Sequence, residues 1–170
     1  MHPVVTLLKR RGWKVGLRSS PIPLLPEHLQ REYSDVPAGL VNFIAPLDFL
    51  ENAAENVWFL TATHYNQLES EGFRWNEYKC MALDEAESPE AAAKIENFWS
   101  SHLPFALAVH SDYDYLAVKT RGALAGSVVH GFAPFWEEPS VIAPNFMSFL
   151  KRYSLAAESE VLEFPYSLFL

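Results

Sequence analysis

The sequence predicts an α+β fold: a central antiparallel sheet of about four to six strands with helices packed around it, in a single domain. Three observations carry this. Residues 103–109, 113–118 and 127–132 are apolar runs of strand length, rich in the branched and aromatic side chains that suit a pleated surface. Their joins are short: His110, Ser111 and Asp112 between the first two, and the glycine-bearing stretch 119–126 between the next two. Runs joined this way pair in sequence as antiparallel neighbours. After Pro139 and Ser140, Phe146, Phe149 and Leu150 recur at helical spacing, which sets one face of a helix against that sheet.

The remaining elements follow in order. Residues 1–18 carry Lys9, Arg10, Arg11, Lys14 and Arg18 and no acid, and read as a basic arm or edge strand. Pro21, Pro23 and Pro26 mark an extended connector. Glu27, Leu29 and Tyr33 announce a short helix, with the acid early, where the helix dipole favours it. Leu40, Phe43, Ile44 and Leu47 form an amphipathic stripe after Pro37, and Pro46 bends or ends that helix. Residues 57–61 form a compact strand. Residues 63–71 read as a helix closed by Gly72, and 78–83 as a further strand. Ser88, Pro89 and Glu90 make a strong helix start: a capping hydroxyl, a proline at the first position and an acid in the first turn. That helix presents Ile95, Phe98 and Trp99 on one side. The chain ends in a stretch with five apolar side chains in its last seven residues, which need cover from the body or from a second subunit.

Composition narrows the function. The chain has 170 residues, a formal charge of −8 and 49% hydrophobic residues, enough for a sizeable core and too apolar for disorder. Residues 32–118 hold 15 acids against Arg74, Lys79 and Lys94, a local net of −12. Direct nucleic-acid binding is not expected, since it needs clustered Lys and Arg, whereas an acidic surface attracts basic proteins. The single Cys80 permits no internal disulfide and reads as an inert buried thiol. No run approaches the roughly 20 apolar residues of a membrane span. The opening stretch places its apolar run before its basic residues, the reverse of a secretory leader. A cytoplasmic protein without membrane contact is the expectation.

The polar clusters are thin as catalysts. His110, Asp112 and Asp114 share one face of an extended segment and have ligand chemistry, but a metal site needs a further ligand and no close-spaced histidine supplies one. A polar turn bonding its own backbone accounts for them more simply. Glu137 and Glu138 beside Trp136 have the chemistry of a sugar site, yet neighbouring residues on a strand point apart, which makes them a poor acid pair and a better solvated loop. There is no nucleophile elbow, phosphate loop or dinucleotide fingerprint. No cofactor, metal or catalytic residue is expected, and a protein-binding role is favoured over a sugar- or metal-dependent enzyme.

Several stretches together resemble the SUKH superfamily, which comprises bacterial immunity proteins and fungal cell-wall regulators of the Smi/Knr type. They are LPFALAV, the paired strand DYLAV opened by Asp114, SVVHGF with Val128, Val129 and His130, and VIAPNFMSFL leading into a Phe-x-x-Phe-Leu helix. LPEHLQREY upstream is similar to the family's opening helix. The family's frequent Asn-Gly-Gly turn is missing. The resemblance implies a SUKH-like α+β domain over residues 21–151, flanked by a basic arm at 1–20 and an apolar extension at 152–170. It also implies a cytoplasmic immunity protein that binds and neutralises a toxin domain such as a nuclease, or, on the fungal pattern, a regulatory scaffold. The family lends no residue a role. Acidity and aromatic content select Asp112, Asp114, Glu137 and Glu138, with Trp136, as contact residues for a basic protein partner of a monomer or homodimer.

Overall fold

The computed structural model describes residues 2–20, 22–66, 73–110, 112–159 and 163–170. Seven strands among them form one sheet in sequence order, each antiparallel to the next: β1 (Lys14–Leu17), β2 (Leu47–Glu51), β3 (Val57–Phe59), β4 (His102–Val109), β5 (Tyr113–Lys119), β6 (Val128–Phe132) and β7 (Ser140–Ala143). The helices are α1 (Pro3–Arg10), α2 (Glu27–Glu32), α3 (Ala38–Ile44), α4 (Ala62–Asn66), α5 (Glu77–Asp84), α6 (Pro89–Trp99) and α7 (Phe146–Glu158), followed by a 3₁₀ turn at Tyr166–Phe169. No helix among the described residues is long and apolar enough to cross a membrane.

The α+β class and the antiparallel sheet agree with the sequence, but the sheet has seven strands rather than four to six. β1 is the edge strand offered as one reading of the basic arm, short and with Lys14 and Gly16 among its four residues. β2 is hidden because the apolar stripe of α3 runs on into Leu47, the strand's first residue; the helix closes at Ile44, just before Pro46. β7 is confined to four residues between Pro139 and Pro144. The stretch read as a strand at 78–83 is helix α5 instead. Tyr78 and Ala82, four apart, are its buried positions, and Glu77 occupies its first turn. The expected helix end at Gly72 lies outside the described residues.

Local chemistry explains the other boundaries. Ser88 Oγ accepts the Ala91 N–H at 3.1 Å and Pro89 opens α6, as the sequence predicts. Asn145 Oδ1 accepts the Ser148 N–H at 2.8 Å and starts α7 in the same way. Between the pairs Pro104–Ala117 and Ala106–Leu116, Phe105 is an extra residue on β4. That bulge turns its ring onto Phe59, Phe146 and Phe149.

The sheet separates two aromatic layers. On one face α1, α3 and α7 bury Val4, Leu8, Phe43, Ile44, Phe149 and Tyr153 against Phe59 and Phe105. On the other, α5 and α6 bury Tyr78 and Trp99 against Tyr115. Buried tyrosines lock elements together, each donating to a distant backbone carbonyl: Tyr33 to Trp99, Tyr65 to Pro104, Tyr78 to Ala108, Tyr115 to Trp136 and Tyr153 to Phe169. Burial pushes all five phenols well above their ordinary pKa, which keeps them as neutral donors.

Both flanking segments are built into this body. The first contributes α1 and β1, with Val4, Val5, Leu8 and Trp13 buried. Its charges fold back: Lys14 pairs with Glu55 and Glu51, Arg18 pairs with Asp48 at 3.1 Å, and Arg11 donates to the Ala157 carbonyl at the end of α7. The C-terminal segment packs on the domain through buried Tyr166 and Phe169, and Trp13 Nε1 donates to the Leu170 carbonyl at 3.3 Å. The two sheet edges differ from the centre. β1 is short and carries a bulge beside Gly16. On β7 the Ile142 carbonyl is taken by Arg152 at 3.0 Å and by Tyr166 at 3.3 Å. Short or covered edges blunt strand-to-strand aggregation.

Candidate functional site

One end of the sheet gathers three turns: residues 52–56 between β2 and β3, 110–112 between β4 and β5, and 133–139 between β6 and β7. Antiparallel succession places alternate connections at the same end. The side chain of Asn52 organises the first turn by accepting the Asn56 N–H at 3.1 Å and the Val57 N–H at 3.2 Å. His110 ties the second turn to its surroundings: Nε2 donates to the Leu168 carbonyl at 2.9 Å, and Nδ1 accepts from the Asn56 amide at 3.2 Å. The Ala133 N–H donates to the Tyr113 carbonyl at 3.0 Å, holding the third turn against the second.

The five residues expected as partner contacts fall into two groups. Asp112 and Glu138 are exposed and Glu137 is half-buried, all at this end. Asp114 and Trp136 are inside, with exposures of 6% and 2%, which corrects the expectation that they face a partner. Trp136 folds under the sheet end and lies over Tyr78, with ring centroids 4.8 Å apart and planes 35° apart. Asp114 turns inward because His130 binds it: Oδ1 accepts from His130 Nε2 at 2.7 Å. Positions 114 and 116 of β5 face 132 and 130 of β6, so Asp114 and His130 are diagonal neighbours on one face of the sheet. Phe164 and Phe169 close over the His130 ring edge-on, at 5.4 and 6.1 Å.

This arrangement parts the three residues considered as metal ligands. Both His110 nitrogens are engaged with Leu168 and Asn56, Asp114 belongs to His130, and Asp112 faces solvent. Among the described residues no group of three or more His, Cys, Asp or Glu side chains has the arrangement to hold a metal ion.

Exposed phenylalanines take the place expected for Trp136. Phe132, Phe135 and Phe164 are 40%, 54% and 67% exposed. Phe132 and Phe135 pack ring edge to ring face at 5.9 Å, and Phe132 and Phe164 each flank His130. Sequence reasoning missed them for a physical reason. In the adjacent pair Phe135 and Trp136, neither alternation nor propensity says which ring turns in, and Phe132 has an inward-facing register position that only the end of the sheet leaves uncovered.

The electrostatics of this end run one way. Residues 52–56, 110–112, 133–139 and 163–165 contain Glu55, Asp112, Glu137, Glu138 and Glu163 and no Lys or Arg. Glu55 is answered by Lys14. Glu137 sits awkwardly, with Oε1 buried and without a hydrogen-bond partner, and its pKa is raised by burial first and by the neighbouring charge of Glu138 as well. No protein-family model matches the chain, and neither does any curated protein or solved structure.

Proposed function

We propose that the chain is a non-enzymatic protein-binding module: a cytoplasmic immunity protein of the SUKH type that binds and neutralises a basic bacterial toxin domain, such as a nuclease. The observation that carries this reading is the sheet end where Asp112, Glu137 and Glu138 stand beside exposed phenylalanines without any Lys or Arg in the turns. A nuclease cleft is built to receive phosphate, so it is lined with cations. Carboxylates presented on a rigid surface steer onto such a cleft and occupy it. Apolar rings beside the charges supply buried area, and charge supplies orientation and rate.

The test is capture followed by function. The immobilised full chain is exposed to lysates of the source organism and its competitors, and the retained protein is expressed and assayed for toxicity with and without the chain. One basic, stoichiometric partner whose toxicity the chain abolishes supports the reading. Several weak partners from wall-building machinery, none of them toxic, overturn it in favour of a regulatory scaffold.

A further inference from the structure

From the grouping of Phe132, Phe135 and Phe164 with Asp112, Glu137 and Glu138 at one end of the sheet, we infer that this surface is an arginine-reading site for a protein partner, selective for guanidinium over ammonium. The inference rests on the protein-binding reading and adds the chemistry of recognition. An acidic patch attracts lysine and arginine alike by charge, and the guanidinium fork adds only a modest preference at each carboxylate. Exposed rings change that. A guanidinium is planar and weakly hydrated, so it stacks on an aromatic face while its N–H fork meets a carboxylate, whereas an ammonium is a compact, strongly hydrated charge.

Phe135, Glu137 and Glu138 share the β6–β7 turn, while Asp112 comes from the β4–β5 turn, Phe132 from the end of β6 and Phe164 from the C-terminal segment. Phe132 pairs with Asp114 in the β5–β6 ladder, and Asp112 precedes Asp114 by two residues in the chain. Phe135 lies two and three residues before Glu137 and Glu138 and is packed on Phe132. Phe164 is held against His130, itself fixed by the buried Asp114. Each ring is packed against a neighbouring ring, Phe135 on Phe132 and both Phe132 and Phe164 on His130, which limits the entropy lost on binding. Glu137 adds a second reason: its half-buried carboxylate forms no ion pair with a Lys, Arg or His among the described residues, so its charge is open to a partner's cation. A second copy of this chain is disfavoured as the occupant, because it brings the same carboxylates to the contact. The occupant is a strip of arginines on a basic protein.

The test uses the full chain and two defined probes: a fluorescent peptide of six arginines alternating with serine, and its six-lysine counterpart. Affinities are measured by anisotropy at low salt. The arginine peptide is expected to bind about tenfold tighter, with cation–π stacking on more than one ring as the source. The triple variant Phe132→Leu/Phe135→Leu/Phe164→Leu keeps apolar bulk at exposed positions and removes the π faces; it is expected to bring the arginine advantage below about twofold. Asp112→Asn/Glu137→Gln/Glu138→Gln is expected to weaken both peptides. Equal affinity of the two peptides, an arginine preference that survives the leucine variant, or no binding of either peptide overturns the inference. A neutralised toxin with no arginine preference leaves the immunity reading intact and removes this one. An arginine preference without any toxin does the reverse.

Discussion

The Asp114–His130 pair makes one buried residue depend on another. Both side chains are buried and joined at 2.7 Å. Such a pair contributes little net stability relative to apolar residues, but removing one member strands the other in a low-dielectric site. Asp114→Ala is expected to cost about 3–5 kcal/mol in urea denaturation, and the double variant with His130→Ala less than the sum of the singles. Additive losses would mean the two residues act separately. Gly131 presents a steric counterpart. A Cβ there would lie 2.3 Å from the Tyr115 ring, whose hydroxyl is anchored on the Trp136 carbonyl. Gly131→Ala is therefore expected to lose about 1–3 kcal/mol, and an unchanged unfolding midpoint would show that the ring gives way freely. His64 sets a pH dependence. Its Nδ1 accepts the Thr61 N–H at 3.0 Å, and burial lowers its pKa below 6.5. His102 is lowered as well, by burial foremost. A lowered folded-state pKa means the unfolded chain takes up protons first, so this stability is present above pH 6.5 and is lost as the pH falls below it. Tm is expected to drop between pH 7.5 and 5.5, and to drop less in His64→Asn, which keeps an acceptor for Thr61. An equal drop in the variant would assign the effect elsewhere.

Single elements depend on how their ends and odd residues are satisfied. The start of α6 was legible because Ser88, Pro89 and Glu90 act through the backbone within four residues, and no distant partner is needed. Ser88→Ala is expected to cost about 1 kcal/mol, measured by chemical denaturation, and no loss would mean that Pro89 alone sets the boundary. The three central strands were legible for a related reason: their length and apolarity exceed what any alternative conformation would bury. β2 and β7 were not: β2 continues the apolar stripe of α3, β7 sits between two prolines, and β1 entered only as one of two readings of the basic arm. α5 was misread because Tyr78 and Ala82 form a helical stripe only once Trp136 and Ala108 are in place above Tyr78. The candidate site divides in the same way. Asp112, Glu137 and Glu138 could be selected from charge alone, while the inward turns of Asp114 and Trp136 depend on His130 and Tyr78, which are distant in sequence. Phe105 shows the cost of such long-range dependence. Its bulge places one ring against three others, and Phe105→Ala is expected to lose about 3–5 kcal/mol.

At the scale of the molecule, two aromatic layers clamp a sheet whose edges are short or covered, and acidic side chains unpaired among the described residues collect at one end. There Glu137 Oε1 is buried without a hydrogen-bond partner, and the backbone hydrogen bond to the carboxylate only partly offsets its burial. Its raised pKa means the folded state prefers the protonated form, so ionisation costs stability above the folded-state pKa, and the cost vanishes below the unfolded value. Glu137→Gln is expected to raise Tm at pH 7 and to leave it unchanged near pH 3.5. Stability given up at a surface carboxylate is consistent with selection for binding rather than for folding. The most direct measurement is the affinity of the captured partner for the wild-type chain and for Asp112→Asn/Glu137→Gln/Glu138→Gln, each at 50 and 300 mM salt. The account predicts tight binding that weakens as salt rises, and a loss on the order of a hundredfold in the variant with most of its salt dependence gone. A partner that holds the variant as tightly as the wild type, at either salt, would contradict it and move the binding surface away from this end of the sheet.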